Sequence, residues 1–344
     1  MDPISQGSLG AVLPQSVLRH ENLGRLTLCG ALAGMAPDLD IFIASDVDPL
    51  MFLVFHRQFT HALIFIPIGA LVVAGCLFPF LRKSVEFKYI YLACLLGYAT
   101  HGFLDSCTSY GTQLFWPFTD YRVSWNTVSV LDPAFTVPLL LAVIAGLIWR
   151  RRWLPWLGIA WAFAYLGVGL IQSQRALDAG ERLAEARGHV PGRLTIKPSI
   201  ANQLLWRSIY QHDDVFYVDA IRVGLTTEPM VCGTSATAEV LEVDRHLPWL
   251  EASQQLTDVS RFSWFSQDYV ATDPAMPNRV IDVRYSTVPN QLVPLWAIDL
   301  DPTADPTEHV KFVNLRRVEE TQLDLISSFF RGDQCHVIAT TSSS

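Results

Sequence analysis

Ala62–Leu81 runs for 20 residues without a charged side chain, long enough as a helix to cross a hydrocarbon core of about 30 Å. Ala134–Trp149 and Trp153–Gln172 are also uncharged, and Trp149, Trp153 and Trp156 stand where interfacial aromatics belong. Tyr89–Asp105 is apolar as far as His101. Two shorter apolar stretches, Leu9–Leu18 and Leu23–Ala36, predict a helical hairpin that enters the bilayer without each arm crossing it. Four strong segments in one half are hard to bury in a soluble core. The expected fold is therefore an N-terminal all-α membrane-embedded helical bundle of four to five membrane segments, followed by a soluble α+β domain.

Charge divides the chain in the same place. Residues 1–171 carry ten Lys/Arg and ten Asp/Glu, and residues 172–344 carry 15 and 23, so the net charge of −8 belongs to the second half. No basic stripe points to nucleic acid. Met1–Gly10 holds Asp2, Pro3 and Gln6 but no basic residue, which argues against a cleavable signal peptide. The expected layout is a membrane domain over 1–172, a helical connector over 173–192 and a soluble domain over 193–344. Arg82, Lys83 and Lys88 lie between the first two strong segments, and Arg150, Arg151 and Arg152 between the last two. Both loops should be cytoplasmic, which puts 37–61, 105–133 and everything after 172 on the extracytoplasmic side.

Three polar clusters interrupt the apolar half, all on that one side: Pro37-Asp38-Leu39-Asp40, His56-Arg57-Gln58-Phe59-Thr60-His61 and His101-Gly102-Phe103-Leu104-Asp105. Ionisable groups beside a bilayer usually face one another, water or a metal, and His with Asp is a ligand set for zinc and related ions. His101 and Asp105, four apart, share a helix face, so they either ligate one metal or Asp105 orients the His101 ring. Asp38 and Asp40 repel unless a cation or hydrogen-bond donors lie between them; the alternative is a solvated loop with a capping role. His56 and His61 differ by about 140° on a helix, so Thr60 is expected to cap the next helix, leaving His56 in the loop before it. Arg57 either neutralises a substrate anion or pairs with Asp38 or Asp40. The joint occurrence points to a metal site with Asp38, Asp40, His56, His61, His101 and Asp105 as ligands. Thr108–Phe118, rich in hydroxyls and aromatics, reads as an interfacial belt or as a mouth for a lipid or amphiphile. Asp132 reads as a cap.

Met1-Asp2-Pro3-Ile4-Ser5-Gln6, Pro-Asp-Leu-Asp, His-Arg-x-x-Thr-His, His-x-x-x-Asp and Thr-Ser-Tyr-Gly-Thr-x-x-x-Trp-Pro-Phe, in this order, resemble the membrane-bound metal-dependent hydrolases, the LexA-binding inner-membrane-associated (YdjM-like) family. The resemblance covers residues 1–150 and extends more weakly through Trp206-Arg207. It implies a remote likeness to zinc-dependent phospholipase C and single-strand-specific nucleases, helical proteins whose metals are held by His and Asp. It carries the six ligand candidates over, while Gln6 occupies a position that is His in some members.

The C-terminal half reads as α+β with a mostly antiparallel sheet: strands near 193–197, 203–210, 215–223, 238–243, 280–287, 295–299 and 310–315, and helices near 247–262 and 319–330. His212-Asp213-Asp214 reads as a turn. Cys232 and Cys335 would be free to pair in an oxidising compartment, two free thiols being the alternative.

The expected function is a multi-pass inner-membrane hydrolase that uses a divalent metal, zinc by preference, on an ester or phosphoester of a lipid or amphiphile at the extracytoplasmic face. Arg57 would hold the substrate anion and Asp40 act as general base. The alternatives are a non-catalytic membrane protein with a structural metal site, and an ion or small-solute carrier.

Overall fold

In the computed structural model, which describes residues 1–316 and 319–338, the chain begins with two helices, α1 (Pro3–Val17) and α2 (Leu23–Met35). Asp2 caps α1 by accepting from the Ile4 and Ser5 amides, and Pro3 starts it. A 3-10 turn over Ala36–Phe42 and the short α3 (Met51–Phe55) follow. Further 3-10 turns over Phe59–His61 and Leu63–Phe65 lead into α4 (Ile66–Leu81). Then come α5 (Phe87–Cys107), α6 (Pro133–Trp149) and α7 (Trp153–Ala186). The helix expected to start behind Thr60 begins instead at Ile66, because the Thr60 hydroxyl donates to Asp40 Oδ2 at 2.7 Å and Pro67 fixes the first turn. Asp132 caps α6 as expected, accepting from the Phe135 amide.

Contacts divide the chain into two units. The first holds Met1–Ile43, Phe55–Leu170 and Ile200–Asn202; the second holds Ala44–Val54, Ile171–Ser199 and the described residues from Gln203 on. In the first unit α1 and α2 form the expected hairpin, packed backbone to backbone. A Cβ at Gly10 would lie 2.6 Å from the Gly30 carbonyl oxygen, and one at Gly97 of α5 would lie 2.2 Å from that same oxygen. Such close seams of small residues are how helices pack where lipid removes the hydrophobic drive between them. Leu26, Ala70, Ala74, Ile90 and Ala93 fill the space between α2, α4 and α5, and Leu9, Val12, Phe135, Leu139 and Ile159 that between α1, α6 and α7.

The outward faces are apolar too: Leu71, Val72 and Phe80 on α4, Leu141 and Ile148 on α6, Phe163 and Leu170 on α7. So many large apolar side chains turned outward suit lipid better than water. Among the described residues two helical stretches are long and apolar enough to cross a membrane, Leu63–Leu81 and Trp153–Ala186, with mean hydropathy 2.4 and 1.7 over an 18-residue window of each, against the four to five expected. The 17-residue α6 is apolar but shorter, and the 21-residue α5 turns polar at His101, Asp105 and Ser106.

The second unit is an α+β assembly of two antiparallel sheets. One has five strands, β1 (Arg193–Pro198), β2 (Leu205–His212), β3 (Val215–Arg222), β4 (Met230–Glu239) and β9 (Cys335–Val337), in the order β1-β2-β3-β4-β9. The other runs β5 (Val270–Asp273), β6 (Met276–Asp282), β7 (Trp296–Asp299), β8 (Lys311–Asn314). The end of α7 lays Ala176, Ala179 and Leu183 on Ile196, Trp206 and Ile221 of the first sheet. Ile209, Phe216 and Val218 meet Ala271, Ile281 and Ala297 of the second. The short α8 (Val243–His246), α9 (Gln254–Phe265) and α10 (Glu320–Arg331) complete it.

His212-Asp213-Asp214 is the β2–β3 turn, with His212 opposite Val215 and Asp213 at positive φ. Several edges differ from expectation. β4 begins at Met230 rather than Ala238, β6 begins at Met276 rather than Val280, and β5 and β9 were not expected. α9 starts at Gln254 rather than Leu247, because the Ser253 hydroxyl caps it by accepting from the Leu256 amide. Cys232 and Cys335 are disulfide-bonded at directly opposed positions of β4 and β9.

Candidate metal centre

Three elements, two 3-10 turns and one α-helix, deliver the donors. Pro37 starts the 3-10 turn that carries Asp38 and Asp40. His61 closes the 3-10 turn Phe59–His61, and His101 and Asp105 lie one turn apart on α5. Donor atoms of Asp38, His61, His101 and Asp105 all fall within 4.8 Å of one another. Asp38 Oδ1 stands 3.5 Å from His61 Nε2 and 3.4 Å from His101 Nε2; Asp105 Oδ2 stands 3.3 Å and 3.7 Å from the same two atoms. His61, His101 and Asp105 are buried, and the Asp38 side chain keeps about a quarter of its surface open.

The tautomers follow from the outer partners. His101 Nδ1 lies 2.6 Å from the Gly34 carbonyl, which can only accept, so Nδ1 carries the proton. His61 Nδ1 lies 3.0 Å from Thr60 Oγ1, whose own proton goes to Asp40, and 3.2 Å from Asp40 Oδ2, so it too is the donor. In the neutral rings both Nε2 atoms then present lone pairs, and they face each other at 2.9 Å. That approach repels unless a cation or a proton lies between. Without a metal the proton takes the place: burial opposes charge on His61, but the Asp105, Asp38 and Asp40 carboxylates beside it outweigh burial and push the ring up to about 10.

Asp40 and His56 stand behind this group rather than in it. Asp40 Oδ1 meets His56 Nδ1 at 2.7 Å, and Oδ2 accepts from the Arg57 amide at 3.0 Å, from Thr60 and from His61. Burial acts to raise the Asp40 carboxyl, but its His56 and His61 bonds hold it well below the usual range. Burial pushes His56 down. Asp40 is thus placed to orient His61, with both of its oxygens engaged by protein groups.

Arg57 faces inward and does not reach for an external anion. Its Nε lies 3.0 Å from Asp105 Oδ2, Nη1 donates to Thr108 Oγ1 at 3.1 Å, and the guanidinium lies over the Tyr110 ring. Nε is close enough to Asp105 for ion pairing but is not aligned for a hydrogen bond, so Asp105 Oδ2 has no hydrogen-bond partner although it is buried. Arg57 also holds a positive φ of 62°, pinned by its amide on Asp40 and by its carbonyl, which accepts from the Gln113 amide. The Met1 amino group and Gln6 Nε2 both donate to Asp105 Oδ1. Two imidazole lone pairs and two carboxylate oxygens, one of them the orphaned Asp105 Oδ2, fit a divalent cation.

A sequence model of the YdjM inner membrane protein family matches residues 1–176, just over half of the chain. The chain belongs to that family. All six motif residues and Arg57 fall inside the YdjM match, and membership assigns the chain to the inner membrane. A curated relative, the uncharacterized protein YfhP of Bacillus subtilis (strain 168), is 24% identical over 271 residues, which cover 76% of this chain and 78% of YfhP. No solved structure matches.

Two partners of this YdjM-family site, the Gly34 carbonyl and Arg122, were not singled out from the sequence, while Thr108 and Tyr110, in the run read as a belt or a mouth, serve instead as partners of Arg57. Arg122, almost fully buried, reaches the His56 carbonyl through Nη2 at 3.4 Å. The spacing Gly30-Ala-Leu-Ala-Gly34 is the signal that could have found the first, since GxxxG marks a helix face that another backbone approaches.

Proposed function

We propose that the chain is a membrane-bound, metal-dependent hydrolase acting on an ester or phosphoester of a lipid or amphiphile. The observation that carries the reading is the 2.9 Å approach of His61 Nε2 and His101 Nε2, with Nδ1 of each engaged elsewhere and two carboxylates flanking them. Asp38, His61, His101 and Asp105 would hold the metal, zinc by preference for this donor set. When bound, such an ion supplies Lewis acidity and makes water nucleophilic near neutral pH. Asp40 would fix the His61 tautomer, and Arg57 would balance the charge of Asp105. Asp38, the most open of the four, would be the carboxylate placed to act as general base toward water.

The lipid reading is supported by the surroundings of Asp38. Leu39, Ile41 and Phe42 are exposed beside it. A separate apolar groove of about 330 Å³, lined by Leu63, Ile64, Leu114, Phe115, Trp116 and Phe118, opens two residues after His61, where the Leu63–Leu81 span begins. The extracytoplasmic placement of the site and of the second unit is supported by the Arg82-Lys83 and Arg150-Arg151-Arg152 loops and by the Cys232–Cys335 bond. The remaining segments, α5 and the α1–α2 hairpin, would lie within the bilayer without each meeting the length and hydropathy of a full span.

The test is metal analysis of detergent-purified chain, then release of product from phospholipid vesicles with and without chelator. Chelator-sensitive release that disappears in His101→Ala is the expected result. Bound metal without release favours the second reading, a closed structural site, for which the full burial of three donors speaks. A C-terminal alkaline phosphatase fusion should be active, and a fluorescent-protein fusion dark.

A further inference from the structure

The chain leaves the first unit after Ile43, joins the second for Ala44–Val54, and returns at Phe55. This excursion separates the donor clusters: Asp48 stands eight residues after Asp40 and eight before His56. The two ends are tied together by His56 Nδ1 on Asp40 Oδ1 and by the Arg57 amide on Asp40 Oδ2. The middle is held within the second unit. Arg261 of α9 clasps Asp48 with both nitrogens of its fork, Nη1 to Oδ1 at 2.9 Å and Nη2 to Oδ2 at 2.8 Å. Leu50 is fully buried, and the Phe52 ring stands edge-on to Phe312 at 5.0 Å. Asp48 Oδ1 also accepts from the Leu50 amide, which stiffens the turn.

Asp48, Asp258 and His309 have metal-capable geometry among themselves. The guanidinium is already the cation there: Arg261 Nη1 reaches Asp258 Oδ1 at 3.1 Å, while Asp258 Oδ2 accepts from His309 Nδ1 and the Val310 amide. The group is a clamp and not a second metal site. An ordinary surface ion pair contributes little. A bidentate one, at the centre of a loop whose two ends meet at Asp40, restricts the very segment that orients His61.

We propose that the second unit positions the candidate metal centre through this loop, with Asp48 and Arg261 as positioning residues; the consequence for metal binding rests on the metal reading above. Movement of the loop centre is transmitted along eight residues on each side to Asp40 and His56, and from Asp40 to the His61 ring. This gives the C-terminal half a task that its own sequence does not disclose.

The experiment uses the full chain in detergent. Asp48→Asn keeps an acceptor for the Leu50 amide and removes the charge; Arg261→Lys keeps the charge and loses the fork. Hydrogen exchange of the Arg57 and His61 amides is read in metal-free protein, and zinc affinity by chelator competition. The expected result is faster exchange at 55–61 and roughly tenfold weaker zinc binding in Asp48→Asn, with Arg261→Lys intermediate. Adding Arg261→Gln to Asp48→Asn should cost little more, since the two act as one contact. Unchanged exchange at 55–61 in a folded Asp48→Asn chain overturns the positioning claim. A parent chain that binds no zinc overturns the metal reading instead, and the exchange measurement still decides the positioning claim.

Discussion

Gln6 Nε2 donates to Asp105 Oδ1 at 2.9 Å, joining the first helix of the chain to the end of α5 across 99 residues of sequence. Gln6 is fully buried, and its Oε1 has no hydrogen-bond partner. An imidazole at this position would bring a nitrogen donor to a carboxylate that already faces both histidines. Gln6→His should therefore tighten metal binding by on the order of tenfold, or add a second ion. Titration of the purified variant with zinc decides this; unchanged stoichiometry and affinity would place residue 6 outside the centre.

The division between donors and orienting groups predicts an order of severity. His101→Ala removes a donor outright and should leave no tightly bound metal, with membrane insertion intact. Asp40→Asn only loosens His61 and should weaken binding about 10–100-fold. If Asp40→Asn proves as severe as His101→Ala in metal analysis, Asp40 is itself a ligand.

Two kinds of information separate what the sequence disclosed from what it did not. His101 and Asp105 were legible as a pair because helix periodicity alone puts i and i+4 on one face. The partition of Asp38 from Asp40 was not, because it depends on the tertiary placement of the Thr60 hydroxyl, which goes to Asp40 instead of capping a helix. Arg57 was legible as a charge near the carboxylates, but its inward aim is set by a positive φ that no residue type at that position announces. In the second half, β3 is dense in β-branched and aromatic residues, with Val215, Phe216, Tyr217, Val218 and Ile221. The early part of β4, with Gly233, Thr234 and Ser235, and the three-residue β9 carry no comparable pattern.

The Cys232–Cys335 bond closes a separation of 103 residues. By the chain-entropy model, Cys232→Ser with Cys335→Ser should cost the second unit about 4–5 kcal/mol, less any strain released. Denaturant midpoints followed by Trp fluorescence under oxidising and reducing conditions measure it. Parent and double variant should differ only when oxidised.

Lys197 is buried beneath the Tyr285 ring, and burial pushes its ammonium down to about 7, with the nearby Arg284 charge adding to the shift. The unfolded chain keeps that proton to about 10.5, so between these values it binds more protons than the folded chain. Stability of the second unit should therefore rise with pH from 7 towards 10, by up to about 1.4 kcal/mol per unit. Lys197→Met should stabilise the unit at pH 7 and flatten that rise. Thermal midpoints at pH 7, 8 and 9 would falsify this if parent and variant ran parallel.

His101 takes its orientation from the Gly34 carbonyl, a main-chain oxygen brought within 2.6 Å because the helix backbones touch. An acceptor of this kind has no codon of its own. Substitution at position 34 can push it away but cannot delete it, whereas the carboxylate behind His61 is lost by a single change at Asp40. The two histidines are therefore unequally exposed to mutation: one is inherited with its own partner residue, the other with the packing of three helices.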